Sequence, residues 1–507
     1  MAVTGRMMMM PLHTSPRLRG PRTAVILAVV FAALLSMGAA TGAPARPFAP
    51  KVREPGGSRP AGASVPGHVA APADGATRLG FCGGDDWEPE VASDLVGHVY
   101  VVWAHFPGEP TCDPASANPR RVYIQVSNDG GRTFGPPKVV ADKPGGVFYP
   151  KQVDSTVTVN EQGVVFVCFL AYGRVAGLGD VACARSTDFG RTFPVSRIVN
   201  GAAGCLDCDH EWPAARGDEV YVAYAGNGNR DHFISRSSDG GLTWTEHLVL
   251  AGSPNEVAFP EGAVIDGGGN AWFAWGDCRG DCTGTPAAVY RVSKTDAGTA
   301  TTTFVDIATG SQGPECPVAD CGFAFFGPQD DIAIDGGGTL YLVYQDGRQH
   351  ARPMSPPVVK LARCRAGLDC MSRDSWTLLG RVDDKTASGC RLGACYALFP
   401  RIEGGGPNQI DLMWMDDRKG SQEHLGGWNV WLRRSNSAGA SWTGPSVQAS
   451  AFDPSRPESN PNGFRFPYGD YEGIDLLPDG TAVMAWGEGW DYDATKPGHI
   501  VFRAMAP

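Results

Sequence analysis

Four arginines stand where they could grip an acidic group. Arg279 closes Trp275-Gly-Asp277-Cys-Arg279, Arg348 closes Tyr344-Gln-Asp346-Gly-Arg348, and Arg418 closes Trp414-Met-Asp416-Asp417-Arg418. Arg401 directly follows Phe399-Pro400. A planar guanidinium meets a carboxylate through two parallel hydrogen bonds, so such a supply of arginines suits an acidic ligand. Carboxyls able to move protons lie nearby in the sequence: the adjacent Asp330 and Asp331, and Glu472 beside Tyr471 within Tyr468-Gly-Asp-Tyr-Glu-Gly473. The same residues have a structural reading. Each aspartate of a Trp-x-Asp-x-Arg unit can hold its own arginine in a turn, and Tyr471 can be a packed residue.

The elements that must position these residues form a repeat. Its unit is an aromatic-Pro pair, a short strand, a Gly/Asp turn, then an apolar strand ending in Trp or Tyr and often followed by Asp and Arg. Clear copies run from Phe259-Pro260 to Trp275, from Phe326-Gly-Pro328 to Tyr344 and from Phe399-Pro400 to Trp414. Looser copies begin at Trp87, Tyr149, Trp212 and Phe466. Seven copies at intervals of roughly 50 to 70 residues predict a β-propeller of seven four-stranded blades, all-β throughout. The last blade is one strand short at its C-terminal end. Residues around Ala76 to Phe81 are expected to supply that strand, joining the N- and C-terminal strands and leaving no open edge. Strand 1 starts and strand 2 ends on one face of such a disc. That places Lys151, His210, Glu211, Glu261, Asp277, Asp470 and Glu488 at one mouth of the channel with the residues above.

A second repeat, out of phase with the first, marks the opposite face. Ser127-Asn-Asp-Gly-Gly-Arg-Thr-Phe134 returns as Ser186-Thr-Asp-Phe-Gly-Arg-Thr-Phe193 and as Ser237-Ser-Asp-Gly-Gly-Leu-Thr-Trp244. A worn copy, Ser435-Asn-Ser-Ala-Gly-Ala-Ser-Trp442, has Ser437 in place of the aspartate. The aspartate can accept hydrogen bonds from backbone amides one or two residues on, as in an Asx turn, the glycine supplies a positive φ, and the aromatic can fold back over the turn. On these residues the chain resembles the Asp-box (bacterial neuraminidase repeat) β-propellers, the sialidase-like superfamily. The resemblance implies a glycoside hydrolase acting on sialylated or related acidic glycans. Three of Arg279, Arg348, Arg401 and Arg418 would seat a substrate carboxylate. Tyr471 would be the nucleophile with Glu472 as its base, Tyr468 standing in reserve, and Asp330 or Asp331 the acid/base for the leaving group. Sialidase propellers have six blades, so the seventh is a departure. The alternative is a propeller that binds a glycan or protein partner without catalysis. A polysaccharide-cleaving propeller using two carboxylates would need no arginine triad.

The flanks and composition bound the setting. Arginines at 6, 17, 19 and 22 precede an apolar run over 24–35 and small residues to Ala45, the pattern of a cleaved secretory signal at 1–45 rather than a membrane span. A Pro/Ala/Gly linker follows over 46–75, and the propeller occupies 76–507. Without residues 1–45 the chain loses four arginines and no acid, so its formal charge goes from −11 to −15. That acidity argues against nucleic acid and against anionic membrane surfaces as partners. A secreted monomer with a glycan or glycoconjugate substrate is expected. The fourteen cysteines pair as sequence neighbours without remainder, which predicts local disulfides. Cys205-Leu-Asp-Cys208 beside His210 lacks the second ligand pair of a zinc site. No cofactor is expected, although the acidity is compatible with a structural calcium ion.

Overall fold

The computed structural model describes residues 75–81, 85–106, 120–175, 178–201, 204–253, 256–279, 288–310, 328–348, 355–385, 397–416, 418, 429–450, 472–489 and 498–507. Apolar residues on both faces of each strand must be covered, and the chain covers them by stacking seven antiparallel sheets round an axis. Blade 1 consists of Asp85–Ser93, Val99–Phe106, Arg121–Ser127 and Lys138–Val139. Blade 2 is Lys151–Val159, Val165–Val175, Leu178–Ser186 and Val195–Ile198, with the short Cys205–Leu206 added beside its third strand. Blade 3 is Asp209–Arg216, Glu219–Gly226, Asp231–Ser237 and Thr245–Leu250; blade 4 is Glu256–Ile265, Ala271–Arg279, Ala288–Thr295 and Thr302–Gly310. Blade 5 is Asp330–Ile334, Leu340–Arg348, Ser355–Cys364 and Trp376–Arg381; blade 6 is Ala397–Gly404, Ile410–Asp416, Asn429–Ser435 and Val447–Gln448. Blade 7 joins Gly473–Leu476, Ala482–Gly489 and Gly498–Met505 to Ala76–Leu79, the predicted closure, with Ala76 opposite Arg503 and Leu79 opposite Ile500.

The core is distributed between blades. Val101 and Trp103 of blade 1 pack with Val483 and Phe502 of blade 7, and Tyr100 and Val102 face Val165 and Val167 of blade 2 on the other side. Similar clusters seal every other pair of neighbours round the ring. The aromatics that end strand 2, among them Trp103, Tyr224, Trp275, Trp414 and Trp486, are fully buried in these seams.

Three of the sequence-neighbour disulfides fall on described residues: Cys168–Cys183, Cys205–Cys208 and Cys364–Cys370. Cys168 and Cys183 face each other across one hairpin, as expected. Cys278 is also bonded, and the remaining cysteines lie outside the described residues. Among the described residues no helix is long and apolar enough to cross a membrane.

The recurring Ser-x-Asp turns join strands 3 and 4. Ser127 Oγ donates to Asp129 Oδ1 (2.7 Å) and accepts from the Gly131 amide (2.8 Å), while Asp129 accepts from the Thr133 amide (2.9 Å) and hydroxyl (2.7 Å). The turns at Ser186 and Ser237 repeat this set. The aspartate therefore reaches four residues on, further than an Asx turn, and the serine closes the loop behind it. The aromatic does not always fold over its own turn. Phe134 of blade 1 lies 4.8 Å, edge to face, from Phe502 of blade 7.

Candidate functional site

The innermost strand of each blade sets the site. The sequence places the aromatic-Pro pair ahead of this strand, but in blades 1, 3, 4 and 6 it lies inside it. In blades 1, 3 and 6 the register slips, between Trp87 and Glu90, Asp209 and Trp212, and Leu398 and Arg401. Blade 2 slips between Val153 and Ser155, and blade 4 between Pro260 and Gly262. A bulge inserts an extra residue and turns the following side chains towards a new direction. In four blades that residue is not glycine yet has a positive φ: Glu88 (54°), Asp154 (46°), His210 (53°) and Phe399 (50°). Such backbone is disfavoured for side chains of this size, and it recurs at the level where the innermost strands converge. The strands approach closely there. A Cβ on Gly262 would sit 2.0 Å from Asp331 Oδ1, and one on Gly473 would sit 2.5 Å from the Val91 amide nitrogen.

The bulges bring acidic side chains from separate blades into one buried cluster. Glu90, Glu261, Asp330, Asp331 and Glu472 are all buried, and Arg401 of blade 6 is buried among them, while Glu211 is buried beside Asp154, Asp209 and His210. Arg401 NH1 donates to the main-chain oxygens of Glu261 and Asp330, NH2 lies 3.4 Å from Glu261 Oε2, and the guanidinium carbon sits 4.7 Å from the Trp212 ring. His210 Nδ1 is 3.1 Å from Glu261 Oε1. One cation is thus shared by carboxyls of several blades, and they cannot all ionise. Burial, with Glu261 and Asp331 adding negative charge, drives the Asp330 carboxyl well above the ordinary carboxylate range against the pull of Arg401. Burial likewise drives Glu472, Glu90 and Glu211 well upward. Asp331 is pushed up to about 7 by burial, moderated by Arg401 and by backbone hydrogen bonds. Burial opposes the charge on Arg401, but Asp331, Glu261, Glu90 and Glu472 outweigh it and raise its pKa.

Hydrogen bonding separates the two adjacent aspartates. Asp331 accepts from the amides of Ile332 (2.8 Å) and, across the blade boundary, Ile402 (2.9 Å). Asp330 has neither oxygen hydrogen-bonded among the described residues; the same holds for Glu472. Asp331 is therefore a tie between blades 5 and 6, whereas Asp330 retains acceptor and donor capacity.

The other sequence candidates fall elsewhere. Arg418 donates from Nε and NH2 to Asp416 of its own blade, pairs with Asp384 at 2.9 Å and stacks 3.9 Å from the Trp431 ring. Asp277 is held by Arg291 (2.7 Å) and His232 (3.0 Å), and Asp346 by Lys360. Arg279 and Arg348 end second strands, but their side chains are outside the described residues, as are Tyr468, Asp470, Tyr471 and Asp417. Glu90 was absent from the sequence candidates. The signal that finds it is the register: the residues before the strand-2 aromatics, Val102, Val343 and Met413, lie opposite Glu90, Asp331 and Arg401 respectively. Among the described residues no three His, Cys, Asp or Glu side chains are arranged to hold a metal ion.

No protein-family model matches the sequence. No curated protein matches it either. Solved structures match it at low identity. An ulvan lyase of a polysaccharide lyase family is 11% identical with a TM-score of 0.49, over 85% of this chain and 96% of that one. A Hadza microbial sialidase is 14% identical with a TM-score of 0.40, over 83% and 66%. An α-L-arabinanase from Penicillium chrysogenum is 11% identical with a TM-score of 0.43, over 85% and 98%. Identities this low transfer no residue and no activity.

Proposed function

We propose that this chain is a secreted, carbohydrate-processing propeller that cleaves glycosidic bonds at the channel end where its innermost strands begin. The observation that carries this reading is the Asp330 carboxyl: buried, without a hydrogen-bond partner among the described residues, raised in pKa, and beside Arg401. A carboxyl that keeps its proton near neutral pH is what protonation of a leaving-group oxygen requires. Glu472, next to Tyr471 in the sequence, would serve as base for the Tyr471 phenol only once ionised, and its raised pKa confines that role to pH above its folded value. Resemblance to the sialidase-like superfamily supports a glycan as the substrate, and the disulfides suit an extracellular setting.

The narrower, sialidase-type form adds a substrate carboxylate seated by arginines. It leans on Arg401, the cation among the buried carboxyls, together with Arg279 and Arg348. Arg418, engaged by Asp416 and Asp384, is the weakest member of that set. Its commitment to its own blade favours the second reading, a propeller that binds glycan without cutting it.

The test is release of fluorogenic leaving groups from an α-sialoside and from neutral glycosides, comparing the parent with Asp330→Asn and Tyr471→Phe. We expect Asp330→Asn to lower kcat by about 10²–10⁴-fold. Sialoside turnover lost in both variants supports the sialidase-type form. Turnover of a neutral glycoside alone, lost in Asp330→Asn, supports the broad reading only. A folded parent inert on every substrate overturns catalysis, and retention on a glycan array would then establish binding.

A further inference from the structure

The face opposite the carboxyl cluster carries a recess between blades 2 and 3. It is a cavity of about 380 Å³ lined by Asn160, Gln162, Phe166, Arg185, Asp218 and Gly240, among others. That size is within the range of small-ligand pockets. The second-to-last residue of strand 3, just before the turn to strand 4, is basic in five consecutive blades: Arg185, Arg236, Lys294, Arg363 and Arg434. Four of these are engaged. Arg236 forms two hydrogen bonds with Glu219 (2.7 and 2.8 Å), Lys294 meets Asp296 (2.8 Å), and Arg434 meets Asp411 (2.9 Å). Arg363 donates to main-chain oxygens of the neighbouring blade's turn.

Arg185 differs. Its Nε is buried without a hydrogen-bond partner, and no described carboxylate pairs with it. The cause lies in the repeat. Tyr221 is opposite Arg236 as Phe166 is opposite Arg185, so Val164 occupies the position that Glu219 holds in blade 3. Gly240 keeps the gap open: a Cβ there would stand 3.5 Å from an Arg185 terminal nitrogen and 3.2 Å from Asp218 Oδ1. Guanidinium and carboxylate therefore face the same space without an ion pair between them, and Phe166 also lines it.

We infer that this recess binds a small hydroxylated carboxylate, an acidic monosaccharide in chemical class. Arg185 takes the carboxylate, and Asp218 and the Gln162 amide take hydroxyls, over a floor closed by the buried Phe166. The site is independent of the channel and of any cleavage there.

Calorimetric titration of the intact chain with glucuronate, and with glucose as the uncharged control, tests the assignment. Saturable glucuronate binding is expected, at least tenfold tighter than glucose. Arg185→Gln, which removes the charge, and Val164→Glu, which rebuilds the blade 3 pair, should each weaken it at least tenfold; Arg236→Gln should leave it unchanged. Unfolding midpoints equal to the parent's show that a variant is folded, and Arg185→Gln suffices if Val164→Glu is not. Absence of saturable binding by the parent, equal affinity for glucose, or parental affinity in Arg185→Gln would overturn the inference.

Discussion

The two faces of the propeller use the same residue types to opposite electrostatic effect. At the strand 3–4 turns, Asp188 and Asp239 are held down at about 2 by hydrogen bonds, chiefly from Thr192 and Thr243. At the convergence of the innermost strands, Asp330 and Glu472 are driven well up by burial. The turn carboxylates are solvated and have donors built for each oxygen. The inner carboxyls have lost water and gained few donors, with one shared guanidinium among them. A polar group fully satisfied by its own turn stabilises a fold; one left short of partners in a dry setting keeps its reactivity.

This contrast can be broken most severely at Arg401. Arg401→Met leaves several buried carboxyls without their cation, and should destabilise the fold by about 3–5 kcal/mol, read from urea unfolding at pH 7. A loss under 1 kcal/mol would mean that the cluster is already neutral without it.

Glu472→Gln sharpens the same point through pH. Burial raises the folded pKa of Glu472 above its unfolded value, so its contribution to stability is complete below about pH 4 and is lost as pH rises towards the folded pKa. Glutamine cannot ionise. The variant should match the parent at pH 4 and exceed it by at least about 1 kcal/mol at pH 8, in paired urea titrations. Equal stability at both pH values would show that Glu472 is solvated.

Effects on the turn face should be smaller. Ser127→Ala removes a buried hydroxyl that donates to Asp129 and accepts from Gly131, an expected cost of about 1–2 kcal/mol by thermal or urea unfolding. The gentlest test repairs the worn turn. Ser437 Oγ already accepts from the Ser441 amide (2.8 Å), so Ser437→Asp should add about 0.5 kcal/mol, and a destabilised variant would show that this turn does not share the geometry of the others.

The architecture was legible because its signals are local. Alternating apolar strands, the strand-2 aromatics and the Ser-x-Asp turns each act within a few residues, and their recurrence counts the blades. The closing strand was legible too, from what the last blade lacked. The inner site was legible only as a list of residues. Nothing in the neighbourhood of Phe399-Pro400 announces a bulge that turns Arg401 towards Glu261, 140 residues away in the chain. Nor could spacing separate Asp330 from Asp331. That distinction rests on the Ile402 amide, which is brought to Asp331 by the stacking of one blade on the next. Register and inter-blade contact, rather than composition, decide which carboxyl is tied and which is not.

Blade 7 has a consequence for how the molecule is made. Its sheet is complete only when Ala76–Leu79 meets Gly498–Met505, and Arg78 and His499, 421 positions apart, come within 2.8 Å there. Such a contact is among the last a growing chain can form, since the ends must find one another after everything between them has been synthesised. Until then the first strand has no partner and the seventh sheet has a bare edge. The ring is a latch that the strand Ala76–Leu79 fastens, and a nascent molecule remains open to proteases and to its neighbours until that moment.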